Sequence, residues 1–274
     1  MSISQTAKIH SSAIIEDGAI IGDNVYVGPF CCVGPNVILE KDVVLKSHVV
    51  ISGDTIIGEK SIVYPFASLG LTPQDLKYRG ERSKLEIGKN TTIREYVTAS
   101  IGTEVGGMTT KIGDNCLIMA YCHIAHDCII GNNVILVNGV NLSGHVVVDD
   151  FAIIGGLSAV KQFTRIGRHA MIGGCTGVER DVIPFGLARS ERNTILRGLN
   201  IIGMKRHGID IDTIKEMLDA FKELFSEDNN KTLISRADEI LKKYPENDKI
   251  RQIVDFIKND SKNPICTCVP SDSD

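Results

Sequence analysis

Two histidines and a lysine are the residues of this sequence best suited to acid–base chemistry. His126, His145 and Lys161 follow one another through the middle of the chain. Histidine suits a general base because its ordinary pKa lies near 6.5, close to physiological pH. Asp127 can fix the tautomer of the neighbouring His126 ring, and Gly144 would let its backbone N–H approach a developing oxyanion. These residues predict a site for acid–base chemistry in which His126 is the candidate base.

A six-residue repeat, which we call a hexad, explains the spacing of these residues: a large aliphatic residue recurs every six positions. A smaller residue precedes each large aliphatic by two positions and faces the same side of a strand. Three such hexads would make one coil of a parallel β-helix, so that each residue stacks on the one three hexads earlier. The aliphatic positions fall in two phases: Ile9, Ile15, Ile21, Val27, Val33, Leu39, Leu45, Ile51, Ile57, Val63, Leu69, Ile87, Ile93 and Ala99, then Ile112, Ile118, Ile124, Ile130, Leu136, Leu142, Val148, Ile154, Val160, Ile166, Ile172 and Val178.

The coil period brings the candidate residues onto one region of the prism surface. His145 would lie one coil above His126 and one residue along, and Lys161 two coils above and one residue back. His123 precedes the inward-facing Ile124 and would point outward. Each ring taken alone could be a solvated surface side chain, but the aligned set favours a site on a rigid edge.

The cysteines fit the repeat better than they fit a metal or disulfide framework. Cys31, Cys116, Cys122 and Cys128 occupy the small inward position, and the last three would lie on three different faces. We therefore expect no metal site and unpaired thiols in a reducing cytosol. The lone Cys266-Thr-Cys268 motif lies in a polar tail and is expected to be unstructured.

The repeat is interrupted by residues 70–86, which are polar and charged, and by residues 100–111, rich in glycine and threonine. Insertions into a solenoid become loops on one edge, often the binding edge, although they can also be plain surface excursions. We assign residues 1–189, including both loops, to a β-helix.

Helical periodicity replaces the hexads near the C-terminus. It runs from Ile211 to Phe225, where Asp210 or Asp212 would cap the helix, and two further helices are predicted over 235–244 and 247–258. We assign residues 190–262 to a helical domain and residues 263–274 to a flexible tail. The predicted fold class is mainly β, a parallel β-helix with a C-terminal α-helical domain.

Composition excludes several classes of protein. The net charge of −4 argues against a general nucleic-acid binder. The N-terminus has no basic segment followed by an apolar run, and no apolar stretch is long enough to span a bilayer, so we expect a cytoplasmic protein without stable membrane insertion. Only 5% of residues are aromatic and none is tryptophan, which fits a core of stacked aliphatics.

Several segments resemble the UDP-N-acetylglucosamine acyltransferases that begin lipid A synthesis. The resemblance covers about residues 1–258 and is carried by GPFCCVGPNV, PQDLKYRGE, CHIAHDC, LSGHVVVDDFAIIGG, AVKQF, GGCTGV and GLNIIGMKR. It implies a left-handed β-helix and a homotrimer with active sites between neighbouring subunits. It also implies transfer of a 3-hydroxyacyl chain from acyl carrier protein to the sugar 3-hydroxyl, without metal or diffusible cofactor.

The resemblance also implies roles for individual residues. His126 matches the general base and Gly144 the oxyanion-hole amide. Gly174 matches the position that limits acyl length, where glycine implies a chain nearer fourteen carbons than ten. The expected substrate contacts are the site-lining His123, His145 and Gln162, the first-loop residues Gln74, Asp75 and Lys77, and Asn200 and Arg206 on the nucleotide side.

Four departures from the family pattern keep a UDP-3-amino sugar open as an alternative acceptor. Lys161 stands where histidine is frequent, and Ser100-Ile101-Gly102-Thr103 replaces His-Arg-Gly-Thr. Ile202 stands where the family often has a uridine-contacting glutamate, and His207 where it has a second arginine.

Other functions fit the sequence less well. The N-acyltransferase acting later in the same pathway carries an extra N-terminal domain, whereas hexads begin here by Ile9. A γ-class carbonic anhydrase needs convergent zinc histidines, and the motifs around His123 and His126 do not match one. A non-catalytic scaffold stays open and would not need His126. A basic surface for the acidic carrier protein is predicted at Arg165, Arg168, Lys205 and Arg206.

Overall fold

The structure is a computed structural model that describes residues 2–190, 194–226 and 231–268. Short strands form three parallel sheets, which are the faces of a triangular prism. Ser2 pairs with Ile20 and Ile20 with Ile38, so the three-hexad coil predicted by the repeat is present. Each strand therefore obtains its hydrogen bonds from the coils below and above it.

Three sheets contain all the strands of the described residues. Sheet A is formed by β1 (Ser2–Ile3), β4 (Ile20–Ile21), β7 (Val37–Leu39), β10 (Asp54–Ile57), β13 (Lys84–Ile87), β16 (Thr109–Ile112), β19 (Ile129–Ile130), β22 (Val147–Val148) and β25 (Arg165–Ile166). Sheet B is formed by β2 (Lys8–Ile9), β5 (Tyr26–Val27), β8 (Val44–Leu45), β11 (Ile62–Val63), β14 (Thr92–Ile93), β17 (Leu117–Ile118), β20 (Ile135–Leu136), β23 (Ile153–Ile154), β26 (Met171–Ile172), β28 (Gly186–Ser190) and β29 (Thr194–Leu199). Sheet C is formed by β3 (Ile14–Ile15), β6 (Cys32–Val33), β9 (Val50–Ile51), β12 (Ser68–Leu71), β15 (Thr98–Ser100), β18 (His123–Ile124), β21 (Asn141–Leu142), β24 (Ala159–Val160) and β27 (Gly177–Val178).

The core is the stack of inward aliphatic side chains. From Ile21 to Val178, none of the large aliphatics of the repeat is more than 2% exposed. Burying each such side chain stabilises the fold by roughly 1.5–3 kcal/mol. Cys122 fills a small inward position, and burial raises the pKa of its thiol to about 11. All eight cysteines are unpaired, and those in the core act as small apolar side chains.

The two insertions lengthen two consecutive coils. Ile57 pairs with Ile87 and Ile87 with Ile112, so each of these coils is longer than three hexads. The inserted loops are shorter than the predicted ranges because the flanking strands extend into them. We call residues 72–83 the first loop and residues 101–108 the second loop; the second contains a 3-10 helix, Glu104–Gly106.

A β-hairpin and four helices follow the last coil. Strands β28 and β29 pair antiparallel and extend sheet B, which the hexad pattern had not predicted. The helices are α1 (Ile201–Arg206), α2 (Ile211–Leu224), α3 (Leu233–Lys243) and α4 (Asp248–Lys258). Asp210 caps α2, since its carboxylate accepts a hydrogen bond from the Thr213 N–H at 2.8 Å.

The predicted tail is ordered where it is described. Asp181 and Ile265 form a parallel bridge, the Cys266 N–H donates to the Asp181 carbonyl at 2.7 Å, and Cys266 is fully buried. The expectation of an unstructured Cys266 was therefore wrong, because its backbone pairs with Asp181 and its thiol donates to the Thr194 carbonyl at 3.4 Å. Residues 269–274 of the predicted tail lie outside the described residues.

None of the helices within residues 2–190, 194–226 and 231–268 is both long and apolar enough to cross a bilayer.

Candidate active site

The candidate site lies at the corner where the chain turns from sheet C to sheet A. Three successive coils place Asp127, His145 and Phe163 one above another there, and we call these three residues the C–A column. All three have left-handed backbones, with φ of 60°, 63° and 64°. This conformation costs roughly 1–2 kcal/mol per residue, which hydrogen bonds between coils offset. The His145 and Phe163 rings stack with centroids 4.4 Å apart.

His126 and Asp127 form a buried hydrogen-bonded pair beside this column. The distance from His126 Nδ1 to Asp127 Oδ2 is 2.8 Å, and the two residues are only 6% and 4% exposed. An ionised carboxylate only accepts hydrogen bonds, so Nδ1 is the donor, and in the neutral ring Nε2 keeps its lone pair. The arrangement presents His126 Nε2 as a base of fixed orientation.

The Asp127 carboxylate is held by the second loop. The Thr103 N–H donates to Oδ1 at 2.8 Å, and the Thr103 hydroxyl donates to Oδ2 at 2.6 Å. Asp127 donates its own N–H to the hydroxyl of Thr110 at 2.8 Å. Gly106 backs the carboxylate so closely that a Cβ there would lie 1.9 Å from the Asp127 carboxyl carbon.

The first loop brings a second carboxylate to the other side of the His126 ring. Asp75 Oδ2 lies 3.8 Å from His126 Nε2, and the Asp75 side chain is 26% exposed. The Lys77 N–H donates to Asp75 Oδ1 at 2.9 Å and so fixes the turn of the loop. The reactive nitrogen therefore faces a partly open region with a hydrogen-bond acceptor at its edge.

The other two histidines of the cluster favour the neutral form. Burial lowers the pKa of His123 first, and the nearby His126 lowers it further; its Nδ1 lies 2.7 Å from the Thr98 hydroxyl. Burial also lowers the pKa of His145, where Asp127, 3.9 Å from Nδ1, acts in the opposite direction. Two neutral rings thus flank the candidate base.

The position of the His126 ring requires a glycine at residue 144. A Cβ at Gly144 would lie 2.6 Å from Cε1 and 2.7 Å from Nε2 of His126, so any side chain would displace the imidazole. Within the described residues, the Gly144 N–H has no acceptor. This leaves a backbone donor close to the reactive nitrogen, as an oxyanion hole requires.

Three predicted polar contacts lie exposed around this corner. Lys161 lies two coils above Ala125, and Gln162 lies above Gly144. Neither Lys161 nor Gln74 of the first loop makes a side-chain hydrogen bond with any residue in the described ranges. The alignment predicted for His126 and His145 is present, as their rings meet edge to face at 5.0 Å.

The remaining predicted residues lie at other corners of the same prism. Gly174 is at the corner between sheets B and C, three coils above the level of His123. Asn200 caps α1 near the corner between sheets A and B, accepting from the Gly203 N–H and donating to the His169 carbonyl, each at 3.0 Å. Arg206 is exposed at the end of α1.

One residue of the predicted basic surface is not available to a partner. Arg165 donates to Asp181 Oδ2 at 2.6 Å, and its guanidinium lies 4.4 Å from the centroid of the Phe256 ring. Its assignment to a carrier-binding surface was therefore wrong, because the side chain joins the coil to α4. Arg168 pairs with Asp150 at 3.0 Å and is half-buried, whereas Lys205 is exposed.

The site has three side chains that could ligate a metal. Ligand atoms of His126, Asp127 and His145 all lie within 4.8 Å of one another. Both Asp127 oxygens already accept hydrogen bonds, and Oδ2 accepts from Thr103 as well as from His126. This donor set is suited to orienting an imidazole.

The sequence analysis did not identify Thr103, Thr110 or Gly106 as part of the site. The glycine- and threonine-rich composition of residues 100–111 was the available signal. It was interpreted as a loop, on the binding edge or as a surface excursion, and its first four residues as a departure from the family pattern. The path of the loop over Asp127 decides their role, and composition does not specify that path.

Known proteins resemble this chain along nearly its whole length. A family model described as "Udp N-acetylglucosamine O-acyltransferase; Domain 2" matches residues 181–266, and one described as "Bacterial transferase hexapeptide (six repeats)" matches residues 109–144. A solved structure of UDP-N-acetylglucosamine acyltransferase from Campylobacter jejuni has a TM-score of 0.89 and 40% identity, covering 96% of this chain and 100% of that chain. The predicted left-handed β-helix with a helical C-terminus is confirmed.

Curated relatives agree with the structural match. The Paracoccus denitrificans protein named acyl-[acyl-carrier-protein]–UDP-N-acetylglucosamine O-acyltransferase is 56% identical over 163 residues, which span 60% of this chain and 62% of that protein. The protein of the same name from Nautilia profundicola is 46% identical over 208 residues, which span 75% of this chain and 78% of that protein. This chain therefore belongs to the acyl-[acyl-carrier-protein]–UDP-N-acetylglucosamine O-acyltransferase family.

Proposed function

We propose that this protein transfers a 3-hydroxyacyl chain from acyl carrier protein to the 3-hydroxyl of UDP-N-acetylglucosamine, the first step of lipid A synthesis. The single observation that carries the proposal is the buried His126–Asp127 pair, with its Nδ1–Oδ2 distance of 2.8 Å. A binding scaffold would have no use for a buried imidazole oriented in this way. The relatives with this name, described above, support the choice of substrates.

The mechanism follows from the two nitrogens of His126. Nε2 removes the proton from the sugar 3-hydroxyl as the oxygen attacks the thioester carbonyl carbon. The resulting imidazolium is stabilised by Asp127, and the Gly144 N–H donates to the tetrahedral oxyanion. When the intermediate collapses, the carbon–sulfur bond breaks and the imidazolium returns its proton to the departing thiolate. The products are the ester and the free thiol of the carrier.

The proposed assembly is a homotrimer whose active sites lie between neighbouring subunits. Its support is that the assigned residues occupy three different corners of one prism. Within one subunit, Gly174 lies at the corner between sheets B and C and Arg206 follows Asn200 near the corner between sheets A and B, whereas His126 lies at the corner between sheets C and A. Three parallel prisms around a threefold axis would bring unlike corners of neighbouring copies together.

The proposed partners and location follow from the same reaction. Acyl carrier protein is acidic, and the exposed Lys205 and Arg206 are candidates for its docking surface. Both substrates are expected in the cytoplasm. Gly174 presents no side chain, which favours an acyl chain nearer fourteen carbons than ten. Asn200 and Arg206 are proposed for the nucleotide side; the Asn200 amide also caps α1.

The test is His126→Ala with both substrates supplied. We expect transfer to fall by at least about 1,000-fold while the trimer still folds, since the ring supplies the base and lies outside the stacked aliphatic core. Mass spectrometry of products formed from a panel of 3-hydroxyacyl carrier proteins and from 3-hydroxyl or 3-amino UDP sugars would measure transfer, chain length and acceptor. Transfer by the variant at the wild-type rate would refute the assignment of the base.

A further inference from the structure

Thr103 of the second loop makes two hydrogen bonds to the Asp127 carboxylate, one to each oxygen. Its backbone N–H donates to one carboxylate oxygen at 2.8 Å and its hydroxyl donates to the other at 2.6 Å. Thr103 is 3% exposed, so these hydrogen bonds are protected from water. A single residue thus restrains both oxygens of the carboxylate that orients His126.

The hydroxyl of Thr103 acts on the same oxygen as the catalytic ring. Asp127 Oδ2 accepts both the Thr103 hydroxyl and His126 Nδ1, the latter at 2.8 Å. Rotation of the carboxylate away from His126 would therefore break the Thr103 hydrogen bond as well. Hydrogen bonds to charged groups are the strong ones, and a buried carboxylate fixed by them has one preferred orientation.

The loop that carries Thr103 is itself anchored. The buried Ser83 hydroxyl donates to the Gly102 carbonyl at 2.5 Å, and the Glu104 N–H donates to the Glu81 carboxylate at 3.2 Å. Both anchors come from the end of the first loop, which also carries Asp75. The two insertions therefore form one supporting layer behind the His126–Asp127 pair.

We propose that Thr103 is a positioning residue for the acyl transfer, acting through Asp127 on the orientation and tautomer of His126. The proposal rests on the proposed function of this site. Because Thr103 is buried behind the carboxylate, it does not contact substrate, and its effect falls on the rate of the chemical step. It makes the second loop part of the catalytic apparatus.

The test compares Thr103→Val, which removes the hydroxyl at nearly constant shape, with Thr103→Ser, which keeps it. The backbone N–H to Oδ1 persists in both. We expect kcat of the Val variant to fall by about 10- to 100-fold with KM little changed, as the loss of one hydrogen bond to a charged group predicts. The Ser variant should recover most of the wild-type kcat.

Thr91→Val is the matched control. Thr91 is fully buried, and its hydroxyl donates to the Gly113 carbonyl at 2.9 Å at a different corner. Like Thr103→Val, the Thr91→Val variant removes a buried hydroxyl and its hydrogen bond, so its free energy of unfolding should fall. Its kcat should stay at the wild-type value. If Thr103→Val does not fold, Thr103→Ser and Thr103→Ala make the same comparison, because they differ only in the hydroxyl.

Three results would overturn the inference. The first is a kcat of Thr103→Val within twofold of the wild-type value. The second is an equal loss of kcat in Thr103→Ser and in the variants without the hydroxyl, Thr103→Val or Thr103→Ala, and the third is an equal loss of kcat in Thr91→Val. A wild-type protein that does not acylate UDP-N-acetylglucosamine would instead refute the proposed function. The two failures are therefore distinguishable in the same assay.

Discussion

Two corners of the prism hold stacked rings but differ in their chemistry. At the C–A column, His145 stacks on Phe163 next to Asp127. At the corner between sheets A and B, the left-handed positions Phe151, His169 and Phe185 lie one coil higher, and we call them the A–B column. His169 stacks between the two phenylalanines, with ring centroids 4.7 and 5.3 Å away.

The difference between the columns is a buried carboxylate. In the A–B column phenylalanines lie on both sides of His169, whereas in the C–A column Asp127 lies next to His145. His169 Nδ1 has no hydrogen-bond partner among the described residues. Burial, with smaller effects of His207 and Arg168, lowers the pKa of His169 to about 4. Left-handed corner positions of one scaffold therefore hold a neutral packing ring in one column and a site for proton transfer in the other.

Replacing Asp127 by asparagine should erase the chemical difference between the columns. Asp127→Asn keeps the shape of the side chain but removes the charge that stabilises the imidazolium and selects the tautomer of His126. We expect kcat to fall about 100-fold or more. Steady-state kinetics with the acyl carrier protein and the UDP sugar would measure the change.

Asp181→Asn is the control for removal of a buried carboxylate. Asp181 is fully buried and pairs with Arg165 at 2.6 Å, remote from His126. Breaking such a pair costs roughly 3–5 kcal/mol, so this variant should unfold at lower temperature while kcat of the folded protein is retained. If Asp181→Asn lost as much kcat as Asp127→Asn, the special role of Asp127 would be untenable.

A smaller effect is expected from crowding the carboxylate without changing its charge. In Gly106→Ala the new Cβ would lie 2.2–2.3 Å from the Asp127 oxygens, so the second loop or the carboxylate must move. A displacement of a few tenths of an ångström in this region should lower kcat by about tenfold. The rate of acyl transfer at saturating substrate is the measurement.

Gly34→Ala separates this effect from the general effect of adding a methyl group. The nearest atoms to a Cβ at Gly34 lie 3.4 Å away, an ordinary contact, and the residue is remote from His126. Wild-type kcat is expected. An unchanged rate for Gly106→Ala would show that the position of Asp127 tolerates the shift.

Most of the fold was predictable because every hexad repeats the same pattern of one large and one small inward-facing residue. Ile124 and Leu142 are three hexads apart and pair in neighbouring strands, as the period predicted. The hairpin β28–β29 was not predicted, because its buried residues Ala188 and Leu196 follow no hexad. Local pattern predicts repeated contacts and gives no information about a contact that occurs once.

The candidate site was predictable in part for the same reason. The contact between His126 and His145 follows from coil geometry, and the nearness of Asp75 was implied by family resemblance. Thr103 was missed because a non-repeating loop decides which residue reaches Asp127. Arg165 was misassigned because charge in a sequence does not reveal the buried Asp181 that pairs with it.

The smallest predicted effect concerns the A–B column and its response to acid. The folded pKa of His169, about 4, lies below the ordinary value near 6.5, so between these values the unfolded chain binds a proton that the folded chain does not. His169 therefore contributes stability that is present above about pH 6.5 and is lost as the pH falls towards 4.

Replacing this ring by phenylalanine tests whether the A–B column excludes charge. His169→Phe keeps the stacked ring and removes the titration, so its thermal midpoint should fall less than that of wild type between pH 7 and pH 4.5. The expected difference is about 1 kcal/mol, or roughly 2 °C, since the ring is only half-buried and its charge is partly screened. His48→Phe, in an exposed ring stack with Phe30 and Phe66, is the matched control for replacing a stacked histidine by phenylalanine. If wild type and His169→Phe lost the same stability on acidification, the A–B column would not disfavour the protonated form of His169.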